Sequence, residues 1–600
     1  MKTITSLSFL FLFSFYAYSQ NITNTLGTGG VFTIKDNTDT FFSLYQSDGH
    51  ILLPDVQGSQ QGFIFKGSSY FLHNYSPSGS DGNNTFLGMD AGNFTMSIPG
   101  STDQGSYNTG IGRYSLTSLT TGKDNTALGY NSLHNNTEGL SNTGIGGLAL
   151  YLNSTGNDNT AVGYNALNGN TTGSGNTAIG VFSLSVANTG DNNTAVGVVS
   201  LNENTSGNNN TAVGHSSMFS NEGGSDNTAV GFYSLNQNTS GTNNTSIGGF
   251  SLSLNNTGNQ NTAVGHSCLS SNIGGSENTA VGFYALNQNT ASGNTAVGTY
   301  ALSKNIDGGN NTAVGHDALS QITINVGGNT GIGAGVLNAL VDGGHENTAV
   351  GLNALGELTG GIGNTAVGVH SLFSLEDGSS NTSVGMYSMV DFTTGDGNTS
   401  VGTSSGTNLI QGNNNTFIGN GSGSSFTTGS NNILIGYNAT VPDGSDQVRI
   451  GNTDINSATI QVSWSTPSDR RWKKEIAPIN LGIGFISQLN PVSYVRKNDE
   501  KERTEYGFIA QEIEEVLKEY GVDKTGMISN DDNGRYELRY NDLFAPIVKA
   551  LQELNEENDR LKAEVESLKS LNIEVAGLKK LFTEIKISED KVEEVTILDR

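Results

Sequence analysis

The residues best suited to covalent chemistry lie in one short string, Ser468-Asp469-Arg470-Arg471-Trp472-Lys473-Lys474-Glu475-Ile476. A serine hydroxyl attacks an acyl carbon only when a base takes its proton. Lys473, five residues on, serves as that base only if its amine falls from a pKa of about 10.4 toward roughly 7–8. Burial lowers an amine, and so do cations, of which Arg470, Arg471 and Lys474 are the nearest in sequence. On residue types alone the favoured reading of the same string is a basic, solvated hinge without catalysis. Both readings stay open at this level; orienting the site is the one role open to Asp469, which is not counted among the catalytic residues.

Other reactive side chains are few. Cys268 is the single cysteine, which excludes a disulfide framework and a cysteine-based zinc site. His215, His266 and His316 recur in the related strings NTAVGHSSM, NTAVGHSCL and NTAVGHDAL, on every third repeat. Coils three apart lie ~14 Å from one another, too far to share an ion, so these are surface histidines copied by duplication. No metal site and no cofactor is expected. A glycosidase would need an insertion to house its carboxylate pair, and the repeats carry none.

These groups belong to a chain of unusual composition. Of 600 residues, 81 are Gly and 8 are Pro; 34% are apolar and 14% charged. Such a chain lacks the aliphatic material for three or four globular domains, and its Gly has no collagen period. The net charge is −27, with 7 basic and 27 acidic residues up to Asp454. A surface so acidic repels phosphate backbones, so nucleic acid is not an expected partner. Met1-Lys2, the apolar run Leu7 to Phe15 and Ala17-Tyr18-Ser19 read as a signal peptide over residues 1–19. The run is shorter than the ~20 residues of a membrane helix. The expected localisation is secreted or cell-surface, with no membrane span in the mature protein.

The string Asn-Thr-small-aliphatic-Gly repeats from Asn84 to Asn415. From Asn108 its step is 17 residues, except 16 after Asn278 and 18 after Asn311 and Asn329. A disordered tract would not hold such register. One unit, NTAVGFYSLNQNTSGTN (227–243), has two apolar marks, Val230 and Leu235, amid Gly, Asn and Thr. Gly and Asn in every unit exclude helix. The expectation is a mainly β fold: a parallel β-solenoid or β-roll over residues 84–454. Each coil should hold two strands of about four residues and bury its Val/Ile and Leu/Met positions. Asn should hydrogen-bond Asn in the next coil. Residues 20–83, with Phe41, Phe42, Tyr45, Phe63 and Phe65, read as a β-rich cap.

One coil buries little apolar surface, and wrapping three chains together would cover the apolar edges. Over Asn84 to Gly451 the repeats resemble the head repeats of trimeric autotransporter adhesins, which form trimeric left-handed β-rolls.

After Gly451 charge becomes dense and the repeat ends. Ile479, Ile483, Ile486 and Leu489 have helical spacing up to Asn490-Pro491. Val492–Val495, Glu505–Ile509 and Arg535–Tyr540 read as strands, and Ala510–Tyr520 as an amphipathic helix. This makes a small α+β domain over 466–545. From Ile547, the residues Leu551, Leu554, Asn558, Leu561, Val565, Leu568, Asn572 and Val575 alternate steps of four and three. That is a heptad, hence a coiled coil over 546–586 before a tail at 587–600, with Asn558 and Asn572 fixing register.

The Ser468–Ile476 string, followed by Tyr506-Gly-Phe-Ile-Ala-Gln-Glu-Ile-Glu514, resembles the intramolecular chaperone domain of phage endosialidases and tail spikes. The resemblance covers about residues 466–560. It implies a domain that drives trimerisation of the preceding fibre and then cuts itself off. By that resemblance Ser468 is the nucleophile, Lys473 the base, and Pro467–Ser468 the scissile bond. The family usually has Leu where Trp472 stands. The expected protein is a secreted homotrimeric fibre, an adhesin or tail-fibre-like protein, held by Leu551, Leu554, Asn558, Leu561, Val565, Leu568 and Asn572. At most it is an auto-processing peptidase acting once on its own chain. Its partners are further copies of itself, with a surface glycan or protein as candidate ligand. The alternative is a non-cleaving structural adhesin that keeps its C-terminal domain as a trimer clamp.

Overall fold

The computed structural model describes residues 64–596 except 456, 463 and 531–533, with side chains to 588. Before residue 64 it describes the backbone of four strands, Asn24–Thr25, Val31–Lys35, Thr40–Tyr45 and Ile51–Leu52, joined as an antiparallel sheet. The expected signal peptide lies outside the described residues. The chain divides into two units, Met1–Ile433 and Leu434–Arg600.

The first unit is dominated by a parallel β-solenoid, one of about 20 coils. Each coil contributes one strand of three residues, Thr-small-aliphatic, such as Thr228–Val230. Successive strands pair parallel and in register: Thr143 opposes Thr160, and Ile145 opposes Val162. Irregular coils keep this register, with Thr279 opposite Thr295 and Thr312 opposite Thr330. The turns absorb the difference. The Asn261 side chain reaches the carbonyl of Gly275, 14 residues on, while that of Asn278 reaches Ala291, 13 on, and that of Asn311 reaches Val326, 15 on.

Two expectations about the coil are corrected. The second apolar mark does not lie in a strand. Leu235 and Met218 are fully buried, as expected, but they sit in the left-handed region at φ 51° and 53°. That conformation is costly for any residue with a Cβ. It is held by burial and by the Leu235 N–H, which donates to Ser251 O of the next coil at 2.9 Å. The Val/Ile position is not core either. In a three-residue strand only the middle side chain points inward, and that residue is Ala, Ser or Gly in most coils, as at Ala229 and Ser246, with Phe86, Phe417 and Leu434 in coils nearer the ends. The aliphatic residue beside it faces out: Leu128 is 44% and Ile247 41% exposed. Gly231 follows the strand at φ 139°, where a Cβ would lie 2.5 Å from Gly248 O; only glycine lets the coils approach this closely.

Asparagine ladders complete the interior, as expected. In the first, Asn227 donates its backbone N–H to Asn210 Oδ1 at 3.1 Å and its Nδ2 to Gly241 O at 2.8 Å. A second runs from Asn136 to Asn305; for example Asn153 Nδ2 donates to Asn136 Oδ1 at 2.7 Å and to Gly156 O at 3.0 Å. Beyond Asn305 the equivalent position carries Ile322, Leu340, Leu358, Leu375, Phe392, Leu409 and Phe426, all fully buried. The second file is therefore amide in its middle and apolar toward the C-terminal end, while the first Asn ladder continues buried to Asn432.

At the other end, strand Ile64–Lys66 pairs antiparallel with Ser69–His73, which pairs antiparallel with Thr85–Leu87. His73 is 2% exposed and packs on Phe86 and Phe94 at centroid distances of 4.8 and 4.5 Å. Its Nε2 lies 2.6 Å from Ala91 O, and its Nδ1 accepts the Tyr75 N–H at 3.3 Å. One donating and one accepting nitrogen describe a neutral ring, and burial pushes its pKa down to about 4.

The second unit carries helix α1 (Ile483–Ile486), a hairpin of strands Val492–Val495 and Thr504–Gly507, and helix α2 (Ala510–Glu519). A second strand pair, Ile528–Asn530 with Tyr536–Leu538, precedes the long helix α3 (Phe544–Thr596). Phe485, Ile513, Leu517, Met527 and Leu543 form its core. Helix α1 is shorter than the spacing of Ile479 to Leu489 predicts. Pro478, Gly482 and Gly484 resist helix, and the Ile483 N–H is capped instead by Glu553 Oε2 at 2.7 Å.

Candidate functional site

Between the last strand, Val448–Ile450, and α1 the chain makes one 3-10 turn, Arg470–Trp472. Asp469 caps it: Oδ1 accepts the Arg471 N–H at 2.8 Å. The Trp472 N–H donates to Asp469 O, and the Lys473 N–H to Arg470 O, both at 3.1 Å. The turn brings the two residues assigned by resemblance together, with Lys473 Nζ donating to Ser468 Oγ at 2.7 Å.

The pair is open to solvent. Pro467, Ser468 and Lys473 are all exposed, and Trp472 is 87% exposed. Arg471 stands among the cations near Lys473 in sequence, but its guanidinium is committed to Asp469, with Nη2 2.6 Å from Oδ2. That contact and the Arg471 N–H hold the Asp469 carboxyl below its usual range.

The heptad residues lie apart from this turn, on α3. Leu551, Leu554, Asn558, Leu561, Val565, Leu568 and Asn572 are all exposed on the single chain. Asp499 is a buried carboxylate that sequence reading missed. It accepts the Lys501 and Arg503 N–H groups at 3.1 Å and the Arg503 Nε at 2.9 Å, closing the hairpin loop. Arg503 holds its pKa at about 2. The signal was Asp followed at four residues by Arg between two strands. The histidines occupy a ribbon of rings: His215 packs on Phe232, Phe232 on Phe250, and Phe250 on His266, at 5.5, 5.3 and 5.9 Å. They are spacers between aromatic residues of successive coils. Among the described residues no group of three His, Cys, Asp or Glu is arranged to hold a metal, and no helix is long and apolar enough to cross a membrane.

Residues 468–522 match the family model described as chaperone of endosialidase. No curated protein and no solved structure matches the chain. The match begins at Ser468, the residue hydrogen-bonded to Lys473. The chain thus joins a long parallel β-solenoid to a segment that matches the chaperone-of-endosialidase family model.

Proposed function

We propose that this chain is a secreted trimeric surface fibre whose C-terminal segment promotes its assembly and then severs the Pro467–Ser468 bond. The observation that carries the reading is the 2.7 Å contact between Lys473 Nζ and Ser468 Oγ at the first residue of the family match. The apolar stretch after Met1-Lys2 supports export. Trimerisation is supported by two uncovered apolar features. One is the outward aliphatic file of the solenoid, including Leu128, Ile145, Ile179 and Ile247. The other is the exposed heptad seam of α3. Surfaces this apolar and this regular are covered by further chains in stable proteins.

The chemistry follows from the pair. Lys473, once deprotonated, takes the Ser468 Oγ proton while Oγ attacks the Pro467 carbonyl carbon. The C–N bond breaks, the proton passes to the Ser468 nitrogen, and Pro467 is left esterified to Oγ. Water then cleaves the ester, giving a Pro467 carboxylate and a Ser468 with free amine and hydroxyl. A lysine loses its proton more readily once buried, and Lys473 is exposed in the single chain. Assembly of three chains supplies the burial, so cleavage follows trimerisation. That same exposure favours a second reading, a clamp that never cuts.

Mass spectrometry of the purified trimer decides between them. Cleavage yields a fibre ending at Pro467 and a fragment beginning at Ser468, and Ser468→Ala or Lys473→Ala abolishes both products without loss of assembly. A wild-type trimer that stays whole leaves the clamp.

A further inference from the structure

We propose that Asp469 is the positioning residue of the Ser468–Lys473 pair, acting by capping the turn that lies between them. The proposal rests on reading that pair as the cleavage dyad.

Five residues of extended chain span about 16 Å, so Ser468 and Lys473 meet only if the chain turns back between them. The turn that does this is a single one, Arg470–Trp472, with no buried residue. Isolated turns of this kind are not stable by themselves, and packing does not hold this one. Its two backbone bonds are supplemented by one side chain. Asp469 Oδ1 takes the Arg471 N–H at 2.8 Å, the bond by which a cap satisfies an orphan donor at the start of a turn. The same carboxylate grips the Arg471 guanidinium, with Nε and Nη2 at 3.0 and 2.6 Å from Oδ2. The carboxylate touches neither Ser468 Oγ nor Lys473 Nζ among the described contacts; it acts through the turn.

The cap and the ion pair are separable. Asp469→Asn keeps an acceptor oxygen for the Arg471 N–H and loses the charge; Asn caps as well as Asp. Arg471→Ala removes the ion pair and leaves the cap, and Asp469→Ala removes both. The rate of appearance of the Ser468 fragment is measured on full-length chains, with trimer content read by light scattering on the same samples. Wild type, D469N and R471A are expected to cut within about threefold of one another, and D469A at least about tenfold more slowly from an undiminished trimer. Cutting by D469A at the wild-type rate overturns the proposal. So does D469N as slow as D469A, which would make charge and not capping the requirement. Loss of the trimer in D469A also overturns it, because the effect would then lie in assembly. A wild-type trimer that never cuts removes the dyad reading itself, and the capping proposal falls with it.

Discussion

Asn305 donates its Nδ2 to Asn289 Oδ1 at 2.6 Å, yet its own Oδ1 has no partner among the described residues. The cause is positional. Asn305 is the last amide of its ladder, and the next coil offers Ile322, which has no donor. Asn272 Oδ1 is orphaned for a related reason. In the 16-residue coil that follows, Asn289 turns its Nδ2 to Ala291 O. A chain of amides satisfies every member except at its breaks.

Substitutions along this ladder should therefore differ in size of effect. Asn221 receives Asn238 Nδ2 at 2.7 Å and donates to Asn204 Oδ1 at 2.6 Å and Gly224 O at 2.9 Å. Asn221→Leu leaves buried groups unpaired on both sides and is expected to cost about 2–5 kcal/mol. Asn305→Leu removes an unpaired acceptor and two donated bonds, but Asn289 Oδ1 and Gly308 O keep Asn294 Nδ2 as donor and the leucine extends the apolar file begun by Ile322, so it should be much milder. Urea unfolding followed by hydrogen exchange at coils 204–238 and 289–322 compares the two; equal losses would contradict the ladder argument.

The solenoid should tolerate loss of a whole unit. Deleting 227–243 brings Asn210 and Asn244 into the relation that Asn210 and Asn227 now hold, and the strands stay in register. The expected product is folded and one coil shorter by small-angle scattering, since repeats interact mainly with their neighbours. Global unfolding on this deletion would mean that the coils are not interchangeable.

The outward aliphatic file gives a test of association separate from folding. Ile145 and Ile247 are exposed on the single chain, so Glu at both positions should leave the circular dichroism unchanged. The same pair should lower the trimer fraction in light scattering, because it places charge in an apolar contact. An unchanged trimer would remove this face from the interface.

His73 links the N-terminal end of the solenoid to pH. Its pKa is about 4 in the folded chain against an ordinary 6.5, so on acidification the unfolded form takes the proton first. Its stabilising contribution is complete above about 6.5 and is lost as pH falls from there toward about 4. Limited proteolysis of residues 64–95 should therefore accelerate between pH 7 and pH 5, and His73→Phe should remove that acceleration. The same pH response in the variant would assign it to other groups.

The sequence by itself determined the repeat, its step and its parallel stacking. Asn, Thr and Gly at fixed offsets permit few backbones, and a period held through 16- and 18-residue units can only be structural. It also determined the position of the Ser468–Lys473 string and the seam on α3, because spacing along a chain is read directly. The tertiary structure decided which apolar residue of each coil is inside. Periodicity marks Val230 and Leu235 alike, but a strand cut to three residues has one inward position, and Ala229 takes it. It decided that Leu235 is buried from a left-handed turn, a conformation that propensity argues against and that contacts from the next coil impose. It also decided that Arg471 belongs to Asp469 and not to Lys473. Sequence proximity puts Arg471 near the amine, whereas the capped turn holds its guanidinium on the Asp469 carboxylate.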